Sequence, residues 1–145
     1  MRLEGAEATE AFGLRLARAL RPGDVVALFG DLGAGKTTLA RGILAGLGHE
    51  GEVASPTFPI VIPYETPALP VWHVDLYRIE DPAELEELAL DEALGDGALV
   101  VEWPERMGAA LWPEALRLTL KREGEAARAL TAQVPAAWEA RWPPR

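Results

Sequence analysis

Cysteine and asparagine are absent from this chain, serine and glutamine occur once each, and lysine occurs only as Lys36 and Lys121. Without cysteine there is no disulfide, no thiolate zinc site and no cysteine nucleophile. Basic residues are also in deficit, with 14 lysines and arginines against 23 acidic residues and a net charge of −9. Because an unaided grip on a phosphate backbone needs a basic surface, this balance argues against direct binding to nucleic acid.

The chain also lacks an apolar run of about 18 residues, the length from which a membrane-spanning helix is considered. Its first residues, MRLEGAEATEAFG, carry charges where a signal peptide is apolar. We therefore expect a cytoplasmic protein with no membrane association. A length of 145 residues predicts one domain over residues 1–145.

Apolar runs of strand length alternate with helical patterns along the sequence, which predicts an α/β fold of the P-loop NTPase type. We expect a mostly parallel sheet flanked by helices and followed by a C-terminal antiparallel hairpin. The predicted strands are 25–29, 71–79 and 98–103, and the predicted hairpin turns around Glu123 and Gly124. Helices are predicted to begin at Thr9, to span 37–48, to follow Pro82 and to form in the last residues.

The segment Gly30–Thr37, GDLGAGKT, fits the phosphate-binding pattern G-x-x-x-x-G-K-[ST] in full, between a predicted strand and a predicted helix. At this chain's own residue frequencies such a match arises by chance roughly once in a thousand sequences. Glycines let backbone N–H groups turn toward phosphates, Lys36 supplies a charge to them, and the Thr37 hydroxyl can ligate Mg²⁺. The alternative is a glycine turn that binds nothing.

Two acids stand where a phosphate loop needs carboxylates to hold a metal ion and order its waters. Glu102 ends the apolar run ALVVE, and Asp75 lies inside VWHVDLYRI. Either could instead be a solvated or ion-paired acid at the end of a strand.

Three further residues have ordinary explanations that compete with functional ones. Thr57, in Ser55-Pro56-Thr57-Phe58, lies where switch-type nucleotide hydrolases carry a threonine that senses the γ-phosphate, but Ser-Pro is also a common turn. His73 is expected to be a hydrogen-bonded core residue, and Trp103 could simply pack at the edge of the sheet.

Four segments together resemble one family. GDLGAGKTTLARG, SPTF, HVDLYRIEDPAELEELAL and VVEWPER occur in the order and spacing of the TsaE (YjeE) family, and the resemblance covers roughly residues 5–130. That family consists of bacterial ATPases that assist threonylcarbamoylation of the tRNA adenosine next to the anticodon. The resemblance implies ATP or ADP and Mg²⁺ as ligands, slow intrinsic hydrolysis, and a complex with the partners TsaB and TsaD, through which alone tRNA would be reached.

The resemblance also assigns roles to residues. Thr37 and Glu102 would ligate Mg²⁺, Asp75 would be a further acid needed for activity, Thr57 would be the switch threonine, and Trp103 would be the family's tryptophan. Lys36 would act on the transferred phosphate as well as bind it. The expected nucleotide contacts are Thr9, Gly33, Ala34, Gly35, Lys36, Thr37, Thr38 and Arg128, the last as a hairpin arginine that faces ATP.

Two other functions remain open from the residues themselves. A small-molecule or nucleoside kinase uses the same loop, but such kinases usually close an arginine-rich lid, and residues 49–70 contain no arginine. A non-hydrolytic module could instead use the nucleotide only to order an interface.

Overall fold

A seven-stranded mixed sheet organises the chain in a computed structural model that describes residues 1–54 and 60–145. The strand order is β1-β7-β6-β2-β5-β4-β3. The strands are β1 Arg2–Glu4, β2 Val25–Phe29, β3 Val61–Glu65, β4 Pro70–Asp75, β5 Ala98–Glu102, β6 Leu116–Glu123 and β7 Ala127–Gln133. The α-helices are α1 Gly5–Ala17, α2 Lys36–Gly46 and α3 Ala83–Glu87.

The centre of the sheet is parallel, and its innermost strands β2 and β5 are buried on both faces, as parallel strands covered by helices usually are. Strand β2 pairs in parallel with β5 on one side and β6 on the other, and β4 pairs in parallel with β5. All five residues of β5 are buried. The edges are antiparallel, since β6 and β7 form a hairpin, β1 joins β7, and β3 joins β4. The predicted α/β fold is therefore confirmed, with a more mixed sheet than expected.

Helices α1 and α2 pack side by side over one face of this sheet, around a core that contains Phe12, Leu16 and Ile43. Their backbones approach closely at Gly42, where an added Cβ would lie 2.3 Å from the carbonyl oxygen of Glu10. Only glycine fits such a crossing without a shift of backbone. The tight contact fixes helix α2 against α1, and the phosphate loop precedes the amino end of that helix.

Several predicted boundaries are wrong, each for a local reason. Helix α1 begins at Gly5, so Thr9 lies inside the helix and donates to the Gly5 carbonyl instead of capping. The acidic helix breaks at Ala89, whose φ of 51° is left-handed, into α3 and a 3₁₀ segment, Leu90–Gly95.

Other differences concern chain segments without a strong pattern. Strand β1 is too short to show alternation. Strand β4 ends at Asp75, where the Leu76 amide makes the last ladder bond to the carbonyl of Glu102 on β5. The predicted C-terminal helix is a 3₁₀ turn, Ala136–Arg141, and another 3₁₀ segment, Pro104–Ala110, follows β5. In residues 1–54 and 60–145, none of the helices has the length and apolar character needed to cross a bilayer.

Candidate functional site

The phosphate-loop sequence connects the carboxyl end of β2 to the amino end of α2, as the strand–loop–helix pattern predicts. Gly35 precedes the helix with a φ of 108°, and Gly30 leaves the strand with a φ of 147°. A Cβ on Gly30 would lie 2.7 Å from the Leu120 carbonyl oxygen, so the turn requires glycine. No side chain caps the start of α2, which leaves its first amides and its positive dipole end available to an anion.

Lys36 lies under this loop and is 4% exposed. Its Nζ donates to the Gly30 carbonyl oxygen and lies 3.6 Å from the centroid of the Trp103 ring. Burial lowers the pKa of the Lys36 ammonium, and nearby carboxylates, of which Glu102 contributes most, oppose that shift. A cation held in so dry a place interacts strongly with a phosphate that enters beside it.

Glu102 is the hub of the polar network, and it is only 3% exposed. The Thr37 hydroxyl lies 3.2 Å and 3.3 Å from its two carboxylate oxygens. His73 Nε2 lies 2.7 Å from Oε2 of the same carboxylate. A hydroxyl and a carboxylate oxygen therefore face each other at the amino end of α2, and these are ligands that Mg²⁺ prefers.

His73 is a site residue whose position the sequence did not reveal. It was expected to be a hydrogen-bonded core residue, and it is indeed fully buried, but its partner is the Glu102 carboxylate. It lies on β4 two residues before Asp75, and side chains two apart share one face of a strand. The spacing of His73 and Asp75 is therefore the feature of the sequence from which His73 could have been predicted as a site residue.

Asp75 is the register partner of Glu102 on the neighbouring strand, so the two acids end adjacent strands at the same edge of the sheet. Its Oδ1 accepts a hydrogen bond from the Tyr77 amide at 2.9 Å. Burial raises the pKa of the Asp75 carboxyl above its ordinary value of 3.8, and the charge of Glu102 adds to the shift. A carboxylate with a raised pKa can accept a proton from a water molecule in the cleft.

Trp103 forms the wall opposite the loop. Its backbone is left-handed, with a φ of 57°, which is unusual for a bulky residue and turns the ring toward Lys36. The ring of Tyr77 packs against it at a centroid distance of 4.9 Å. Trp103 therefore does more than cover the sheet edge, because it shapes the cleft.

The hairpin arginine and the helix α1 threonine border the loop on its other side. Arg128 Nε donates to the Ala34 carbonyl at 2.8 Å, and one terminal nitrogen lies 3.3 Å from the Gly33 carbonyl. Thr9 is 2% exposed and adjoins Gly35. Both residues line a hollow of about 50 Å³ that Thr38 also borders.

Most of the predicted residues meet in one cleft of about 270 Å³. Its lining includes Gly33, Gly35, Lys36, Thr37, Thr38, Asp75, Glu102, Trp103 and Arg128. Thr9 lies in the adjoining hollow, Ala34 is buried behind the loop, and Thr57 falls outside the described residues. Within residues 1–54 and 60–145, no cluster of three or more His, Cys, Asp or Glu side chains could hold a metal ion by itself.

Comparison with known proteins places this geometry in a family. The model of the family "Threonylcarbamoyl adenosine biosynthesis protein TsaE" matches residues 3–130. The tRNA threonylcarbamoyladenosine biosynthesis protein TsaE of Bacillus subtilis is 44% identical over 126 residues, which cover 86% of this chain and 78% of that protein. The protein of the same name from Streptomyces coelicolor is 50% identical over 113 residues, or 76% of each chain.

A solved structure agrees with the sequence relatives. The crystal structure of YdiB from Bacillus subtilis superposes with a TM-score of 0.79 at 35% identity, over 97% of this chain and 88% of YdiB. The phosphate loop and the acids at the ends of β4 and β5 thus occur within a chain that matches one family over most of its length. The chain belongs to the TsaE family.

Proposed function

We propose that this protein is a Mg²⁺-dependent ATPase that assists threonylcarbamoyl transfer to tRNA in a complex with TsaB and TsaD. The observation that carries the proposal is the meeting of the Thr37 hydroxyl and the Glu102 carboxylate, 3.2 Å apart, beside the buried Lys36. A bare anion site would need the lysine and the loop amides but not a carboxylate, which repels phosphate unless a cation lies between them.

The donor set fits Mg²⁺ better than a metal that needs a protein cage. Among the described residues, the Thr37 hydroxyl and the carboxylates at the ends of β4 and β5 offer oxygen ligands, and Mg²⁺ is commonly held by one or two carboxylates together with substrate phosphates and water. When bound, the ion would neutralise charge that develops on the phosphate oxygens. Thr37 and Glu102 would hold it.

The chain's own groups would divide the remaining work between binding and chemistry. The amides at the start of α2 and the Lys36 ammonium would bind the β- and γ-phosphates. Arg128, which holds the Gly33 and Ala34 carbonyls, would fix the loop and border the nucleotide. Asp75 would orient the attacking water through its carboxylate, and its raised pKa suits a group that accepts a proton.

His73 would keep the Glu102 carboxylate in place for this role. Its contact at 2.7 Å fixes one oxygen of the hub, while both oxygens lie within 3.3 Å of the Thr37 hydroxyl. Buried partners of this kind commonly orient ligand side chains.

The transfer to tRNA would depend on the protein partners and not on direct RNA binding by this chain. The net charge of −9 opposes attraction to a polyanion, and the family name of the relatives concerns a tRNA modification. Slow intrinsic hydrolysis that rises in a complex would follow if the partners order groups around the γ-phosphate.

Three measurements test this proposal. ATPase rates titrated with a TsaB–TsaD mixture should rise and saturate, and the rate should require Mg²⁺. A mobility shift with tRNA and the isolated protein at 0.15 M salt should show no complex. Asp75→Asn should lower turnover by about a hundredfold or more with ATP affinity unchanged, because a group acting on the attacking water matters in the transition state.

The matched control is Asp96→Asn, which changes an exposed turn residue away from the cleft. A turnover rate that stays flat across the titration, or tight tRNA binding by the chain alone, would contradict the indirect role. If the protein phosphorylated an added nucleoside, its function would be that of a kinase and not that of an ATPase.

A further inference from the structure

A second and larger cleft, of about 440 Å³, lies at the opposite end of the sheet from the phosphate loop. Five arginines line it, and we refer to it as the arginine cleft: Arg15, Arg18, Arg21, Arg141 and Arg145. Arg21 lies in the turn that leads into β2, whereas the phosphate loop leaves the other end of that strand. The two sites are therefore separated by the length of β2, roughly 17 Å for five residues.

Arg141 builds the floor of the arginine cleft and anchors the C-terminal segment. Its guanidinium donates to both oxygens of Asp24, at 2.6 Å and 3.1 Å, and to the Ala19 carbonyl at 2.7 Å. It also lies 3.9 Å from the centroid of the buried Trp138 ring. Its side chain is 9% exposed. This arginine is therefore part of the fold, and it lies beyond residues 3–130, which the family model matches.

The other four arginines are not compensated in this way. Arg18 donates to the Arg145 main-chain oxygen at 3.5 Å, but among the residues that the structure describes none of the four pairs with an acidic side chain. No acidic side chain of these described residues lines the cleft. Like charges that share a concave surface repel one another, and in a chain of net charge −9 there are many acids that could have relieved them. The arrangement therefore fits an anionic group that comes from outside the chain.

We propose that the arginine cleft is the docking site for an acidic segment of a protein partner, one that presents two or more carboxylates in sequence. Arginine pairs with carboxylates through two parallel hydrogen bonds, and charge complementarity of this kind selects partners and speeds association. The indole of Trp142 and the rings of Pro143 and Pro144 give the cleft an apolar wall, against which the aliphatic parts of a peptide pack.

A protein segment fits this site better than RNA does. A folded RNA carries phosphates over a surface much wider than the cleft, and the acids elsewhere on this chain would repel them. A short peptide meets only the cleft. Because the site lies at the other end of β2 from the phosphate loop, a segment bound there leaves the nucleotide cleft open. The proposal goes beyond the proposed ATPase and does not depend on it.

Fluorescein-labelled deca-glutamate is a direct probe, with deca-glutamine and a ten-nucleotide uridylate as comparisons. Anisotropy would be followed with the nucleotide-free full-length protein in low salt, where exposed charges are least screened. The test variant is Arg18→Gln with Arg21→Gln, since both side chains are exposed and, among the described residues, neither pairs with an acidic side chain; Arg18 loses only its 3.5 Å contact with the Arg145 oxygen. The matched control is Arg2→Gln with Arg41→Gln, which removes the same charge from exposed side chains elsewhere.

We expect deca-glutamate to bind the wild-type chain and the control with affinities within about twofold, and the Arg18/Arg21 variant at least about tenfold more weakly. Deca-glutamine should not bind. Three results would overturn the proposal: no binding of deca-glutamate, equal loss of affinity in both double variants, or tighter binding of the uridylate than of the peptide through the same arginines. A wild-type dimer that the Arg18/Arg21 change alone dissociates would also overturn it, since a second copy would then be the occupant.

Discussion

Beyond the carboxyl end of β2, Lys36, Asp75 and Glu102 are each less than 10% exposed and line one cleft. Before the amino end of the same strand, Arg18 and Arg21 are exposed and have no ion-pair partner among the described residues. Buried charges act at short range and with little screening, whereas exposed charges act over a wider surface and are weakened by salt. The first end suits a compact ligand held in one geometry, and the second suits a flexible partner attracted by charge.

The two ends of β2, at the arginine cleft and at the phosphate loop, also differ in the contacts that stabilise them. The arginine end depends on one nearly buried ion pair, Arg141 with Asp24, around which the exposed arginines stand. The end that carries the phosphate loop, which we call the nucleotide end, instead concentrates buried charges for which we propose a nucleotide ligand. Four substitutions test this difference, and they are ordered from the largest expected free-energy effect to the smallest.

Removing the anchor of the arginine end should cost the most. Asp24→Ala leaves the Arg141 guanidinium buried with only backbone carbonyls to accept its hydrogen bonds, and also removes the acceptor of the Arg21 amide at 2.7 Å. We expect the free energy of unfolding to fall by about 2–3 kcal/mol, because an uncompensated charge remains in a dry place. Urea unfolding measures this. Asp96→Ala, in an exposed turn, is the control; equal stability of both variants would show that the pair contributes little.

At the nucleotide end, Lys36→Ala should weaken ATP binding by well over tenfold. Charge-assisted contacts to phosphate are worth roughly 1.5–3 kcal/mol, and burial of Lys36 makes the upper part of that range reasonable. Isothermal titration of the folded variant measures the loss. The other lysine of the chain, Lys121, is exposed on β6, so Lys121→Ala should leave ATP affinity unchanged. If Lys36→Ala bound ATP with nearly wild-type affinity, Gly30–Thr37 would not be the phosphate-binding loop.

Glu102→Gln should reduce ATP affinity about tenfold in the presence of Mg²⁺ and change it little in its absence. The substitution keeps the shape of the side chain but removes the negative charge that would hold the ion beside Thr37. The measurement is ATP titration with Mg²⁺ and with a chelator. Glu65→Gln, at the exposed end of β3, is the matched control. A loss of affinity that is the same with and without Mg²⁺ would mean that Glu102 supports the loop and not a metal.

These residues differ in how far the sequence alone could predict them. The phosphate loop is local, so its strand, turn and helix could be predicted from Gly30–Thr37 and its flanks. Asp75 and Glu102 could be proposed as acids at strand ends, because parallel strands end at one edge of a sheet. Their roles, like those of Thr9, Thr57 and Arg128, stay predictions until they are measured.

Other features depend on contacts between distant parts of the chain. The contact of His73 with Glu102 needs the pairing of β4 with β5, and the sequence offered only a histidine on an apolar strand. The arginine cleft is formed by residues near 18 and residues near 141, which are far apart in the sequence. The net charge of −9 therefore gave no indication of a local basic surface. The break at Ala89 had no glycine or proline to mark it, and apolar spacing alone continued the helix through it.

The smallest expected effect is on the free energy of unfolding, which the buried charge of Asp75 lowers. Burial raises the pKa of its carboxyl above 3.8, so the folded protein retains the proton to a higher pH than the unfolded chain does. Stability therefore falls as pH rises from that ordinary value through the raised one, and the ionised carboxylate remains unfavourable at pH 7. Asp75→Asn removes that charge and keeps a side-chain oxygen to accept the Tyr77 amide.

We therefore expect Asp75→Asn to unfold at a higher urea concentration than the wild-type chain at pH 7, without ATP, and expect the gain to shrink as pH is lowered toward 4. Asp96→Asn, which changes an exposed acid, should show no such pH dependence. The same substitution, Asp75→Asn, is expected to lower ATP turnover. A gain in stability together with a loss of turnover is the result expected for an acid that is kept for function at a cost in stability. A variant that is less stable at pH 7 would mean that the charges of Lys36 and His73 outweigh the cost of burial, and Asp75 would then belong to the fold as much as to the site.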